Sequence, residues 1–170
     1  MTSQLTISPV DGRVYVERTL ATPVQIEAAL ESARLAQRVW RNVTMAERAA
    51  ILSRFCDAFE SHGDAIAEEL TWQMGRPLRY APSEVRGTLE RARHMIAMAP
   101  AALADIDVGP KSGFTRFLRR EPLGVVFTVA AWNYPYLIAV NSVVPALMAG
   151  NVVVLKHSAQ TPLCAERFEE

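Results

Sequence analysis

The sequence predicts an α/β fold in which a parallel sheet, incomplete within the chain, is flanked by helices. Three observations carry this. Two Val-rich apolar runs, Leu123 to Ala130 and "VVVLK" ending at Lys156, bracket a segment of helical length, Pro135 to Ala149. Strand, helix and strand in so short a span make a βαβ unit, whose crossover is right-handed and whose strands run parallel. Upstream, from Thr22 to Pro100, apolar residues recur at helical rather than strand spacing.

The elements follow in order. Residues 1–21 alternate as "LTIS", "PVDG" and "RVYVER", a hairpin about Asp11-Gly12. Residues 22–100 form a helical segment. Thr22, with Pro23 behind it and Gln25 three positions on, is a capping box opening a helix whose inner face is Ile26, Leu30, Ala33 and Trp40. Thr44 with Glu47 is a second capping box. Its helix turns Ile51, Leu52, Phe55 and Phe59 inward and should stop near Gly63. A third helix runs from about Asp64 to Gly75. A fourth starts at Pro82 or Ser83, with Val85, Leu89, Ala92, Met95 and Ile96 on its apolar side, and gives way after Pro100. "DIDVGPKSG" reads as a loop and residues 111–121 as a strand bearing Arg116, Arg119 and Arg120. Residues 122–170 hold the βαβ unit and the start of a further helix at Thr161-Pro162. Its first strand is apolar throughout, the mark of a strand buried on both faces.

Composition sets bounds on function. Lys plus Arg and Asp plus Glu both number 18, a balance that argues against a nucleic-acid binder. The N-terminus lacks a signal-peptide pattern. The longest apolar stretch, Leu137 to Ala149, is interrupted by Asn141, Ser142 and Pro145 and falls short of the ~20 residues that span a bilayer. A cytoplasmic protein without membrane or nucleic-acid partners is the expectation. Cys56 and Cys164 are distant and lack CxxC spacing, so a disulfide is not expected. His62, His94 and His157 lack metal-ligand spacing and read as surface or capping residues. Trp40 and Trp72 read as packing residues, Met95 and Met98 as core filling, and Glu68-Glu69 and Glu169-Glu170 as solvated faces. "TPLCAERFEE" breaks off as a helix begins, so the sequence reads as the front part of a longer protein. Alone, such a piece would leave an open strand edge and bare apolar faces.

The joint after the first buried strand is Trp132-Asn133-Tyr134-Pro135. In an open parallel sheet, ligands sit beyond the carboxyl ends of the strands. That rule places Asn133 beside Lys156-His157-Ser158, at the end of the second strand. The first strand is not followed by G-x-G-x-x-G, so a nucleotide here would not be held by that glycine fingerprint. Read alone, Asn133 is more readily an Asx-turn residue capping the next helix than a ligand-binding group.

The stretch "EPLGVVFTVAAWNYPYLIAVNSVVPALMAGNVVVLKHSAQTPLCAE" resembles the aldehyde dehydrogenase superfamily. The resemblance rests on Glu-Pro-Leu-Gly-Val-Val, Trp-Asn-Tyr-Pro, Pro-Ala-Leu-x-Ala-Gly-Asn and Val-Leu-Lys-x-Ser-x-Gln-Thr-Pro. Upstream, "TWQMGRPLRYAPSEV" is also similar, so the likeness covers nearly the whole chain but only the front part of a typical member. It implies the N-terminal part of a Rossmann-like cofactor-binding domain, residues 1–170, with the catalytic domain absent. It implies an enzyme that oxidises an aldehyde to a carboxylic acid with NAD or NADP through a cysteine thiohemiacetal and thioester. A glutamate-activated water then hydrolyses the thioester. By the same resemblance Asn133 donates to the oxyanion, and Lys156 bonds the adenosine ribose. Val129, Ala130, Ala131 and Trp132 line the cofactor cleft, with Ser158 and Ala159 beside Lys156.

Neither cysteine matches the nucleophile's context, so the chain alone is expected to be inactive. Many NAD-preferring members carry a glutamate where this chain has Ala159. Its loss, with positive character from His157, predicts tolerance of NADP. The arginine-bearing strand resembles a hairpin that reaches a neighbouring subunit, implying a homodimer or homotetramer; an anion site is the other reading of those arginines. Two rival classes stay open. One is a non-catalytic fragment or paralogue acting as a nucleotide-binding module, the other a structural subunit pairing through that strand.

Overall fold

The computed structural model describes residues 2–170; Met1, with which the predicted hairpin segment opens, lies outside the described residues. β1 (Ser3–Ile7) and β2 (Val14–Thr19) form the expected antiparallel hairpin. Gly12, at φ 75°, makes the turn, and Asp11 Oδ1 accepts the Arg13 N–H at 3.0 Å. α1 (Pro23–Trp40) and α2 (Met45–Ser61) both open on complete capping boxes, from Thr22–Gln25 and Thr44–Glu47. α3 (Gly63–Met74) follows α2 at once, so Gly63 begins a helix instead of ending one. The left-handed glycine is Gly75, at φ 76°, which closes α3.

α4 (Ala81–Ala102) continues through Pro100. The proline lies in the last turn, where a single missing N–H interrupts little of the ladder. Beyond it the predicted strand of residues 111–121 is not formed as such. β3 (Ile106–Asp107) pairs antiparallel with β4 (Phe117–Leu118), two residues each, so half of the ribbon comes from the segment read as loop. Its arginines serve the ribbon itself. Arg119 forks onto Asp105 at 2.6 and 3.0 Å, Arg116 reaches the Gly109 carbonyl at 2.9 Å, and Arg120 the Ala104 carbonyl at 2.9 Å.

β5 (Val125–Val129), α5 (Pro135–Met148) and β6 (Val152–Lys156) form the βαβ unit, with β5 parallel to β6, and α6 (Leu163–Glu169) follows. Thr128 Oγ1 meets Ser142 Oγ at 2.7 Å, so this face of β5 lies on α5. Side chains alternate along a strand, and the other face is open: Phe127 and Val129 are each 63% exposed. The strand is therefore buried on one face, not on both, because no layer among the described residues covers Phe127 and Val129.

The core lies between α2, α3, α4, α5 and α6. Leu52, Phe59, Ile66, Leu70, Leu89, Ile96, Tyr136 and Met148 are its larger members, and Phe59 meets Tyr136 edge to face at 5.1 Å. Ile26, Ile51 and Met98, expected inside, are exposed: Ile51 and Met98 each sit one residue off the buried stripe, whereas Ile26, in line with Leu30 and Ala33, lies uncovered in the first turn of α1. Trp40 and Trp72 do pack: Trp40 Nε1 donates to the Leu147 carbonyl at 2.9 Å, and Trp72 stacks on Tyr15. Glu69 is no solvated acid. It forks onto Arg167 of α6 at 2.5 and 3.2 Å, half-buried.

α5 turns into β6 at Gly150, φ 86°, where an added Cβ would lie 3.0–3.1 Å from the Arg48 guanidinium. Gly150→Ala is expected to lower stability by about 2–3 kcal/mol, from left-handed strain and displacement of Arg48 together. Urea unfolding measures it; an unchanged midpoint would contradict this account of the turn.

Candidate functional site: the carboxyl rim of the parallel pair

Parallel pairing fixes the site. Val129 lies opposite Lys156, and the Ala130 N–H donates to the Lys156 carbonyl at 3.1 Å. The two strands therefore end level. The chain beyond β5 (Ala131, Trp132, Asn133) and the chain beyond β6 (His157, Ser158, Ala159) leave the same edge of the sheet. Ala131, Trp132, Asn133 and Lys156 are all exposed there. Val129 presents its side chain to solvent, whereas Ala130 is buried and contributes backbone alone. Ser158 Oγ accepts the Gln160 N–H at 3.2 Å, forming a tight turn, and Ala159 is exposed.

Asn133 does not cap α5, which has no side-chain cap of its own. The carboxylate at the start of α5 comes from α4. Glu84 Oε1 accepts the N–H of Tyr136 at 3.0 Å and that of Leu137 at 3.5 Å. An anion there satisfies orphan donors and meets the positive end of the helix dipole. Its other oxygen pairs with Arg76 Nη1. Arg76 Nη2 in turn donates to the Asn133 carbonyl at 2.7 Å, and the guanidinium lies 4.5 Å from the Tyr134 ring centroid. The Glu84 side chain is wholly buried and that of Arg76 11% exposed. Burial pushes the Glu84 carboxyl above the usual range, while Arg76 and the two amides pull it back down. The turn is thus gripped by its backbone, and the Asn133 carboxamide is left facing solvent.

A second set of contacts holds the loop after β6. The Gln160 carboxamide donates to the Gln73 carbonyl, and Gln73 Oε1 accepts the Leu163 N–H at 3.0 Å, at the start of α6. From the hairpin, Thr6 Oγ1 donates to the Ala159 carbonyl at 2.8 Å. None of Thr6, Gln73, Arg76 or Glu84 stands out in the sequence as a site residue. The one signal was Glu84 itself, a carboxylate on the same stripe as Thr88 and Ala92.

His157 overturns two expectations. It is buried, packed against Phe168, and neither ring nitrogen has a partner among the described residues. Burial, helped by Lys156, pushes its pKa down to about 4. The ring is neutral at physiological pH and brings no positive character to the rim. Both cysteines are buried as well. Burial raises the Cys56 pKa and pushes that of Cys164 up to about 12, so neither is poised as a thiolate. Among the described residues no helix is long and apolar enough to cross a membrane.

A family model described as "Aldehyde dehydrogenase family" matches residues 2–170. A fluoroacetaldehyde dehydrogenase of Streptantibioticus cattleyicolor is 36% identical over 157 residues, covering 92% of this chain and 31% of that protein. A succinate-semialdehyde dehydrogenase [NADP(+)] of Mycobacterium tuberculosis is 35% identical over 162 residues, covering 94% and 35%. Among solved structures, an NAD-dependent benzaldehyde dehydrogenase from Corynebacterium glutamicum superposes with a TM-score of 0.89 at 30% identity, covering 99% of this chain and 38% of that one. The chain belongs to the aldehyde dehydrogenase family and spans about a third of the length of these relatives.

The buried imidazole makes a pH prediction. With a folded pKa of about 4 against an ordinary ~6.5, the unfolded chain binds the extra proton between those values. Stability is then retained above pH ~6.5 and lost as pH falls toward 4, by about 3 kcal/mol in all. Urea midpoints across that range should fall for the wild type and much less for His157→Leu. Parallel curves for the two proteins would refute the burial argument.

Proposed function

We propose that this member of the aldehyde dehydrogenase family supplies the oxyanion donor and part of the coenzyme cleft of an enzyme that oxidises an aldehyde to a carboxylic acid with NAD or NADP. The observation that carries this is the arrangement of the rim. A solvent-facing carboxamide on a backbone-clamped turn stands at the same sheet edge as an exposed lysine. In this reading each group has one role. Asn133 donates an N–H to the oxygen of the attacked carbonyl, where negative charge develops; being neutral, the amide has no readily lost proton. Lys156 donates to ribose hydroxyls, with Val129, Trp132 and the backbone of Ala130 and Ala131 forming one wall and Ser158 and Ala159 the adjoining turn.

The donor set fits a dinucleotide. Lys156 is exposed at the strand end, and Ala159, exposed in the next turn, leaves space without a carboxylate. When bound, the nicotinamide supplies the hydride acceptor. The chain's own contribution is to hold Asn133 and Lys156 level across the β5–β6 pair. The thiolate would come from outside these residues, since Cys56 and Cys164 are buried and protonated; on the same reading so would the general base. That supports reading residues 1–170 as the opening part of the coenzyme domain, inactive alone. It is also the observation that favours the second reading, a non-catalytic relative that binds nucleotide.

NADP tolerance rests on Ala159 alone, because His157 carries no charge at neutral pH. The ribbon is read as a subunit contact on its exposed Phe117 and Leu118, its arginines being engaged internally.

The test uses the native polypeptide that contains this chain, assayed on an aldehyde panel with both coenzymes. Asn133→Ala should lower kcat by about 10²–10³-fold. Ala159→Glu should weaken NADP relative to NAD by like-charge repulsion. Full activity in Asn133→Ala would exclude the oxyanion role. Nucleotide binding without aldehyde oxidation would select the second reading.

A further inference from the structure

The connection between α3 and α4 touches both halves of the rim from behind. At one end, Gln73 binds the loop after β6 twice. Its backbone carbonyl takes the Gln160 carboxamide, and its side-chain oxygen takes the Leu163 N–H at 3.0 Å. Its side chain is fully buried, and its own Nε2 is satisfied by the Glu69 carbonyl. At the other end, Arg76 and Glu84 hold the turn after β5. Glu84 binds the first free N–H groups of α5, and Arg76 binds both Glu84 and the Asn133 carbonyl. Between them Gly75 takes the left-handed turn, packed so closely on Pro9 that a Cβ would lie 2.9 Å from the proline ring. Residues 73–84 are thus one short piece of chain, exposed at 77–80, whose seated ends hydrogen-bond to both segments that carry the site.

We propose that residues 73–84 are a positioning bracket for the reaction: Arg76 and Glu84 set the orientation of the Asn133 turn, and Gln73 sets the loop that follows Lys156. This rests on the functional reading above. None of the three touches the reacting atoms. Arg76 is suited to the task because its planar fork serves two acceptors at a fixed angle, which a lysine cannot do. The two ends of the bracket act on different partners of the reaction, so they should separate kinetically. The Arg76–Glu84 end belongs to the chemical step, and the Gln73 end to coenzyme binding.

The experiment is made in the native polypeptide that contains this chain, reading kcat and the coenzyme Kd separately. Arg76→Lys should lower kcat about 100-fold, the loss expected when a catalytic group is displaced by about an ångström, with Kd for NAD(P) changed less than about two-fold. The double variant Arg76→Met/Glu84→Leu removes the buried pair together and leaves no charge unpaired. It leaves the Tyr136 and Leu137 N–H groups without their acceptor, so the melting temperature should fall by several degrees, while the folded protein shows the same kcat loss. Gln73→Leu should raise the coenzyme Kd about ten-fold, with kcat nearly unchanged.

Wild-type kcat in Arg76→Lys, or a kcat loss matched by an equal loss of coenzyme-binding sites, overturns the bracket. If the double variant does not fold, Arg76→Lys decides. Should the wild-type polypeptide oxidise no aldehyde, the functional reading fails separately. Amide exchange then decides the bracket: at Tyr136 and Leu137 it must quicken in Arg76→Lys, and unchanged exchange overturns it.

Discussion

α5 runs through the core, and both of its ends lie where water reaches poorly, so every unpaired N–H and C=O there needs a partner. Glu84 meets the N-terminus. At the C-terminus, Arg48 donates to the Met148 carbonyl at 2.8 Å, and Trp40 Nε1 to the Leu147 carbonyl at 2.9 Å. An anion at one end and a cation at the other is the arrangement the helix dipole favours. Removing one member of a buried pair costs about 3–5 kcal/mol, because the charge left behind is not solvated. The beginning of α5 is therefore pinned, and with it the turn before it. Trp132 and Asn133 project outward because the backbone behind them is already committed to Arg76.

The second segment of the rim is held by a different logic. The loop after β6 carries no buried charge. It is fixed by amide contacts to Gln73, by Thr6 from the hairpin, and by ion pairs that seat α6 behind it. Arg18 of β2 forks onto Glu166 at 2.7 and 2.8 Å, and Arg167 onto Glu69. An exposed pair such as Arg18–Glu166 contributes little singly, whereas Arg167–Glu69 is largely shielded from solvent. Here they close contacts between parts of the chain 98 and 148 residues apart. The N-terminal hairpin is thereby part of the support for the loop after β6.

What could be read in the sequence was what is local. Both capping boxes, the Asp11-Gly12 turn, Gly75 and the parallel strand pair depend on residues close together in the chain, or on a run of β-branched residues. So did the joint placement of Asn133 and Lys156, since a βαβ unit sends both strand ends to one edge. The support for that placement was not legible. Arg76, Glu84 and Gln73 act across 52 to 90 residues, and nothing in their spacing announces a partner. His157 was misjudged for the same reason. Its polarity argued for the surface, but Phe168, which covers it, arrives with α6. The β3–β4 ribbon was missed because two-residue strands carry no periodicity.

The chain's two thiols and its one amide at the rim divide the chemistry in an instructive way. A nucleophilic cysteine requires an exposed, stabilised thiolate. Cys164 is sealed beneath Tyr136, Thr161 and the apolar core, with a pKa of about 12. An oxyanion donor has the opposite requirement. It must be neutral, held by something other than its own side chain, and directed at space where a carbonyl oxygen can sit. Asn133 meets the first two, because Arg76 grips its carbonyl and Glu84 does the capping that an asparagine at a helix start would otherwise do. The buried pair thus does more than hold two helices together. By relieving Asn133 of a structural duty, it leaves the carboxamide available for a ligand.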